Sequence, residues 1–192
     1  NENSGIEISE SAPQIADEFP VTASIGQSNH NYTTTQLARY AAALANKGTL
    51  YQLTLIQRIQ EGAEGAIRPA APKENRTLDE IVPSAWDTIA EGMELVAGNN
   101  RILRELPMAV AGKTGTAQQN RTRPNHALFI GYAPYEQPEI AVATRIAYGY
   151  SSSNAVEVTS DIFKYYFGLE DEEQLLTGRA EVPESSGNSF TD

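Results

Sequence analysis

The sequence predicts an α+β fold in which an antiparallel sheet is flanked by helices. Helical periodicity occupies two stretches between residues 34 and 97, and three β-rich runs joined by short polar links follow between 108 and 147. A last amphipathic stretch covers residues 154–167. Helices first, then a meander with a covering helix, is an α+β order of elements.

Residues 1–24, with Pro13 and Pro20 and little periodicity, read as irregular, and Gly26-Gln27 as a tight approach before the first helix. Thr33 and Gln36 form a capping-box pair. They open a helix over Thr34–Lys47 whose inner face is Leu37, Tyr40, Ala41, Leu44 and Ala45, with Gly48 as its stop. Thr49–Ile59 is β-branched and aromatic and reads as extended, and Gly62–Pro72 reads as a loop. A second helix spans Ser84–Ala97, burying Trp86, Ile89, Ala90, Met93 and Val96 or Ala97, and closes at Gly98-Asn99. The strands are Met108–Gln118, His126–Tyr132 and Glu139–Ala147. The loop Gln119–Asn125 and the turn Ala133–Pro138 are short enough to make them antiparallel neighbours. Tyr148–Ser151 connects to the final helix, Asn154–Phe167, capped by Ser153 or Asn154 and closed by Gly168. Its predicted inner side is Val158, Ile162, Phe163, Tyr166 and Phe167. Trp86 reads as core and His126 as a structural hydrogen-bonder.

A chain of 192 residues has room for one domain and one core. No apolar run is long enough to span a bilayer, and no leader pattern opens the chain. The start at Asn1-Glu2-Asn3, without methionine, reads as a fragment or processed product. Cysteine is absent, which removes disulfides and thiolate metal sites. His30 and His126 lie far apart, so no metal centre and no cofactor is expected. A net charge of −11 argues against nucleic-acid binding. From Glu170 onward seven acidic residues face one Arg179, with few large apolar groups to offset ordering entropy. The expected organisation is therefore a domain over 1–168 and a disordered acidic tail over 169–192.

The chemistry concentrates in Ala111-Gly112-Lys113-Thr114-Gly115-Thr116-Ala117-Gln118. Gly112-Lys113-Thr114 does not end a phosphate-binding loop, because Pro107 stands where that loop needs glycine and Met108-Ala109-Val110 is strand-like. One reading makes Lys113 a surface lysine and Gly115 a strand bulge. The other makes the segment a cationic, donor-rich strand edge suited to a carboxylate or a developing oxyanion, with Gly115 marking close approach of a ligand backbone. An extended peptide could add to such an edge.

Lys-Thr-Gly is a motif of penicillin-binding proteins and class A β-lactamases. Ser24-Ile25-Gly26-Gln27, Thr33-Thr34-Thr35-Gln36-Leu37-Ala38 and Ala43-Leu44-Ala45-Asn46-Lys47-Gly48-Thr49 also resemble stretches of the first family. So do His126-Ala127-Leu128-Phe129-Ile130-Gly131-Tyr132-Ala133-Pro134 and Ile140-Ala141-Val142-Ala143. In this order, over Ser4 to Gly168, they resemble the C-terminal half of a class B penicillin-binding protein, most like the elongation-type peptidoglycan D,D-transpeptidase. The resemblance implies a β-lactamase/transpeptidase-like fold, present here as a partial domain. It implies a serine acylated by a D-Ala-D-Ala stem peptide, release of D-Ala, resolution by a second peptide's amine, and trapping of the serine by β-lactams. Lys113 would then lie in the cleft, Thr114 and Thr116 would hold a carboxylate, and Gly115 would admit the substrate backbone. The Thr116 N–H would be an oxyanion donor, making Lys113 and Thr116 the catalytic pair.

The family's Ser-x-x-Lys is not in the chain: Leu44, Ala70, Val110 and Asp161 stand three residues before the four lysines. Ser152-Ser153-Asn154 and Ser186-Gly187-Asn188 match Ser-x-Asn only after Lys113, on the wrong side of the motif. The resemblance thus implies a nucleophile, and a membrane anchor on the extracytoplasmic face, outside this chain. The missing N-terminal half of the domain becomes an implied partner, and the chain alone is expected to be inactive. A non-catalytic binding module of the same fold is the alternative, with a β-lactamase fragment behind it.

Overall fold

The computed structural model describes residues 20–23, 26, 31–71, 73–119 and 122–176. The chain, expected to hold one core, divides into two compact units, residues 1–90 and 91–192.

The first unit opens with the short helix α1 (Pro20–Ala23), followed by Gly26 at φ +80°, whose N–H donates to the Ala23 carbonyl at 2.9 Å. Space beside Gly26 is open, so glycine is needed there for a turn and not for close approach; Gln27 lies outside the described residues. Helix α2 (Thr34–Ala45) starts on the expected capping box: Thr33 Oγ1 accepts from Gln36 N–H at 3.1 Å, and Gln36 Oε1 from Thr33 N–H at 2.9 Å. Its buried face is Gln36, Arg39, Ala41, Ala43 and Leu44, whereas Tyr40 is exposed. Polar residues win inner positions because their polar ends are used inside: Gln36 closes the cap and Arg39 Nε donates to the Tyr51 carbonyl at 3.0 Å. Gly48 (φ +99°) ends the turn after the helix, and a Cβ there would meet the Trp86 ring at 2.7 Å. Trp86 is therefore core, as expected.

The extended stretch breaks into β1 (Thr49–Gln52) and β2 (Arg58–Gln60), the expected loop contains β3 (Ile67–Pro69), and β4 (Lys73–Thr77) follows. These make two antiparallel ribbons, β1–β4 and β2–β3. Helix α3 (Pro83–Asn99) crosses the division between the units, with Pro83 at its first position, where the missing N–H costs nothing. Trp86, Met93 and Ala97 are buried along it, but Ile89 is exposed, against expectation.

In the second unit a single 3₁₀ turn (Leu103–Glu105) leads to the strands β5 (Ala111–Ala117), β6 (His126–Ala133) and β7 (Ile140–Ile146). The order is β5-β6-β7, antiparallel throughout as expected, with unbroken register from Ala111↔Tyr132 to Ala117↔His126 and from Ala127↔Ile146 to Ala133↔Ile140. Met108–Val110 precede the strand instead of belonging to it. Helix α4 (Ser152–Tyr166) covers one face, capped by Ser151, two residues before Ser153 and three before Asn154. The Asn154 amide instead donates to the Gly149 carbonyl at 2.8 Å.

The inner face of α4 is Ala155, Val156, Thr159, Ser160 and Phe163, while Val158, Ile162 and Tyr166 point outward; only Phe163 and the partly buried Phe167 match expectation. Small residues let the helix approach the sheet closely. Phe129, Val142, Ala127, Val156 and Phe163 form one core with Leu103, Leu106 and Val110. Thr159 Oγ1 donates to the Ala155 carbonyl at 2.8 Å, so in its 2.7 Å contact with Thr144 it accepts, which pins α4 to β7. Of the expected tail, Glu172–Leu175 forms α5, and residues 177–192 lie outside the described residues.

Among the described residues Ser160 Oγ is buried with no hydrogen-bond partner. Replacing Ser160 with Ala removes an unsatisfied group and improves helix propensity. Ser160→Ala is expected to raise stability by about 1 kcal/mol, read as a higher denaturant midpoint at unchanged slope; a lower midpoint would contradict it.

Candidate functional site

Strand β5 is an outer strand of the three, paired on one side with β6. Residues directly opposite in an antiparallel ladder share a face. Thr114, Phe129 and Thr144 therefore lie on one face, and Lys113, Ile130 and Ala143 on the other. The first face carries α4, through the Thr144–Thr159 hydrogen bond and the Phe129 core. The motif is thus split: Lys113 and Gly115 belong to the face opposite α4, and Thr114 and Thr116 to the helix side.

Lys113 is exposed and, among the described residues, forms no ion pair. Its Nζ donates to the Thr114 carbonyl at 2.8 Å. Thr114, Gly115 and Thr116 are half-buried. The ladder runs through Gly115↔Leu128 without a shift, which removes the bulge reading.

The glycines of the strand differ in kind. A Cβ on Gly112 would meet Phe129 Cζ closely, and one on Gly131 would approach Phe129 Cε1 at 2.7 Å, so the aromatic ring occupies the space both leave. At Gly115 the nearest contact would be Leu128 Cβ at 3.4 Å, an ordinary separation. The packing demands glycine at 112 and permits a methyl group at 115. Packing among the described residues therefore does not account for glycine at 115.

Where β5 ends, Gln119 meets His126: the imidazole Nε2 lies 2.9 Å from Gln119 Oε1, and Nδ1 accepts from Tyr148 N–H at 3.0 Å. His126 is the structural hydrogen-bonder expected. The sequence did not disclose its partners, because a backbone N–H from the β7–α4 turn carries no residue-type signature. No cluster of His, Cys, Asp or Glu suited to a metal ion occurs among the described residues.

Residues 1–164 match the model of the penicillin-binding protein transpeptidase domain, and the chain belongs to that family. The peptidoglycan D,D-transpeptidase MrdA of Acinetobacter baumannii is 28% identical over 162 residues, covering 76% of this chain and 24% of that protein. The chain thus spans about a quarter of the curated relative it matches. Among solved structures, penicillin-binding protein 2B from Streptococcus pneumoniae strain R6 aligns at TM-score 0.73 and 23% identity, over 87% of this chain and 30% of that one. Penicillin-binding protein A from M. tuberculosis, solved as an imipenem acyl-enzyme complex, aligns at TM-score 0.70 and 23% identity, over 85% and 40%. The fold is the α+β, transpeptidase-like arrangement expected, and the class B elongation-type resemblance agrees with these relatives.

The contrast between the glycines is directly measurable. Gly112→Ala is expected to cost about 2 kcal/mol or more through displacement of Phe129, and Gly115→Ala to stay within about 1 kcal/mol of the parent while weakening ligand engagement. Equal destabilisation of both in denaturant titrations would contradict the assignment.

Proposed function

We propose that the chain supplies the Lys-Thr-Gly strand of a serine D,D-transpeptidase that cross-links peptidoglycan stem peptides and is trapped by β-lactams. The nucleophile, its lysine and the Ser-x-Asn motif come from a part of the domain outside these 192 residues. The whole acts at the extracytoplasmic face of the membrane, on an anchor also outside the chain; among the described residues no helix is long and apolar enough to cross a membrane. The observation that carries the reading is Gly115, a glycine on an outer strand that internal packing does not require, flanked by Lys113, Thr114 and Thr116.

The proposed chemistry gives each group a step. The serine oxygen attacks the penultimate D-Ala carbonyl and forms a tetrahedral oxyanion. Its collapse breaks the peptide bond and releases D-Ala, and a second peptide's amine then displaces the serine. Lys113, cationic and without a carboxylate partner among the described residues, draws the anionic substrate terminus and hydrogen-bonds the serine of Ser-x-Asn. Its contact with the Thr114 carbonyl supports an outward-turned backbone at Thr114. The alternation of an antiparallel strand then turns Thr116 N–H to the same edge, where it serves as an oxyanion donor. One such preorganised donor contributes about 10²–10³ in rate. Thr114 and Thr116, on the helix side of the strand, hold the carboxylate across the β5 edge from Lys113, and Gly115 lets the substrate backbone lie flat as an added strand. The imipenem acyl-enzyme of the M. tuberculosis protein favours the same trapping here.

In the complete protein, Lys113→Ala is expected to lower the second-order rate of acylation by a fluorescent penicillin by about 10²–10³-fold, with folding intact by circular dichroism. The 192-residue chain alone is expected to stay unlabelled by intact mass. Unchanged acylation of Lys113→Ala, or one drug mass gained by the isolated chain, would overturn the proposal. A complete protein that binds penicillin without covalent addition, or that lacks Ser-x-x-Lys and Ser-x-Asn upstream of this segment, would favour a non-catalytic module.

A further inference from the structure

We infer that His126 is a positioning residue: as a neutral imidazole it clamps the end of the Lys-Thr-Gly strand to the β7–α4 turn, and protonation releases the clamp. The inference rests on the transpeptidase reading for its effect on acylation, but the clamp itself stands on geometry.

Three segments converge on this ring. His126 opens β6 opposite Ala117, the residue after Thr116. Its Nε2 lies 2.9 Å from Oε1 of Gln119, two residues past the end of β5. Its Nδ1 accepts from the Tyr148 backbone N–H at 3.0 Å, and the Tyr148 ring lies against it with centroids 4.9 Å apart. A backbone N–H is always a donor, so Nδ1 must be bare. The single proton of the neutral ring then sits on Nε2 and points at Gln119.

The turn held by this contact is a strained one. Tyr148 and Tyr150 have φ of 55° and 64°, the left-handed region that bulky residues avoid. Such conformations persist only where the surroundings over-determine them. Here Tyr150 N–H donates to the Asn125 carbonyl at 3.1 Å, Arg123 Nη1 to Tyr148 Oη at 2.7 Å, and the Asn154 amide to the Gly149 carbonyl at 2.8 Å. Gly149 itself sits where a Cβ would meet Ile146 and Ala127 at 2.8 and 3.0 Å. The turn is thereby fastened to the segment that leads into β6, and through Gln119 to the exit of β5. A proton on Nδ1 would oppose the Tyr148 N–H and break the link at its centre.

The groups facing the ring all favour the neutral form. Burial first, then the Arg145 guanidinium from β7, push His126 below the ordinary imidazole range. Arg123, from the β5–β6 loop, stands 5.3 Å over the Tyr148 ring and adds positive charge on that side. The Tyr148 ring from the turn completes the surroundings of the imidazole. Because the folded protein binds this proton less readily than the unfolded chain, stability from the clamp is complete above the ordinary imidazole pKa. It is lost as pH falls from there toward the lower folded value.

The test uses the complete protein, with parent, His126→Asn and the exposed-site variant Gln119→Ala. It measures penicillin acylation at saturating drug, hydrogen exchange in the peptide covering residues 113–119, and ¹⁵N shifts of the imidazole. The parent is expected to show the Nε2–H tautomer and an acylation rate that falls on the acid side. Gln119→Ala is expected to keep drug affinity, lose about tenfold in acylation rate and speed exchange in that peptide. His126→Asn is expected to lose the acid limb of the profile. A parent Nδ1–H tautomer, or exchange unchanged in both variants, overturns the clamp. Variants with parental acylation rates and pH profiles but faster exchange overturn its role in positioning. If the parent fails to acylate, the transpeptidase reading fails, while tautomer and exchange still decide the clamp.

Discussion

The ring of Phe129 lies in the space that Gly112 and Gly131 leave empty, and the second unit is arranged around that contact. With no side chains on either neighbour, the aromatic ring can lie over β5 and β6 together. Val156 and Phe163 of α4 join it in the same core, so one ring couples the motif strand to its partner and to the covering helix. The steric demand fixes the parity of the strand: Thr114 shares the face of Phe129, and Lys113 is set on the opposite one. The position of the lysine is thus a consequence of core packing at the neighbouring Gly112.

That coupling explains why the motif strand was legible in the sequence while its surroundings were less so. β6 and β7 are largely apolar runs, β5 leads out of Met108-Ala109-Val110, and the short links permit little but antiparallel pairing, so Lys-Thr-Gly falls inside the first strand. Helix positions were also legible, but a count of apolar residues does not give their inner faces. In α2 the buried stripe includes Gln36 and Arg39, whose polar ends are satisfied by Thr33 and the Tyr51 carbonyl, while Tyr40 faces outward. In α4, Thr159 and Ser160 lie inside and Val158 and Ile162 outside, because close approach to the sheet selects small volume over hydrophobicity.

The ribbon strands failed to declare themselves for another reason. Lys73–Thr77 is polar, and this strand pairs with β1 across a register shift between Leu50 and Tyr51, so neither alternation nor β-branched residues mark it in the sequence. Gly115 and Gly112 look alike in the sequence, yet one is demanded by an aromatic ring and the other is not. Only the distances separate them. The environment of His126 was hidden in the same way, since its contacts come from an amide seven residues away and a main-chain group twenty-two away.

The tight seat of α4 on the sheet has an evolutionary side. Ala155, Val156 and Thr159 are fully buried, so a methyl group added on that helix face would displace the neighbours it meets in the sheet. The strand carrying Lys113 is laced to β6 along its whole length and would follow. Heritable variation could therefore adjust the geometry of the motif from a helix some forty residues downstream, leaving every residue of the motif unchanged.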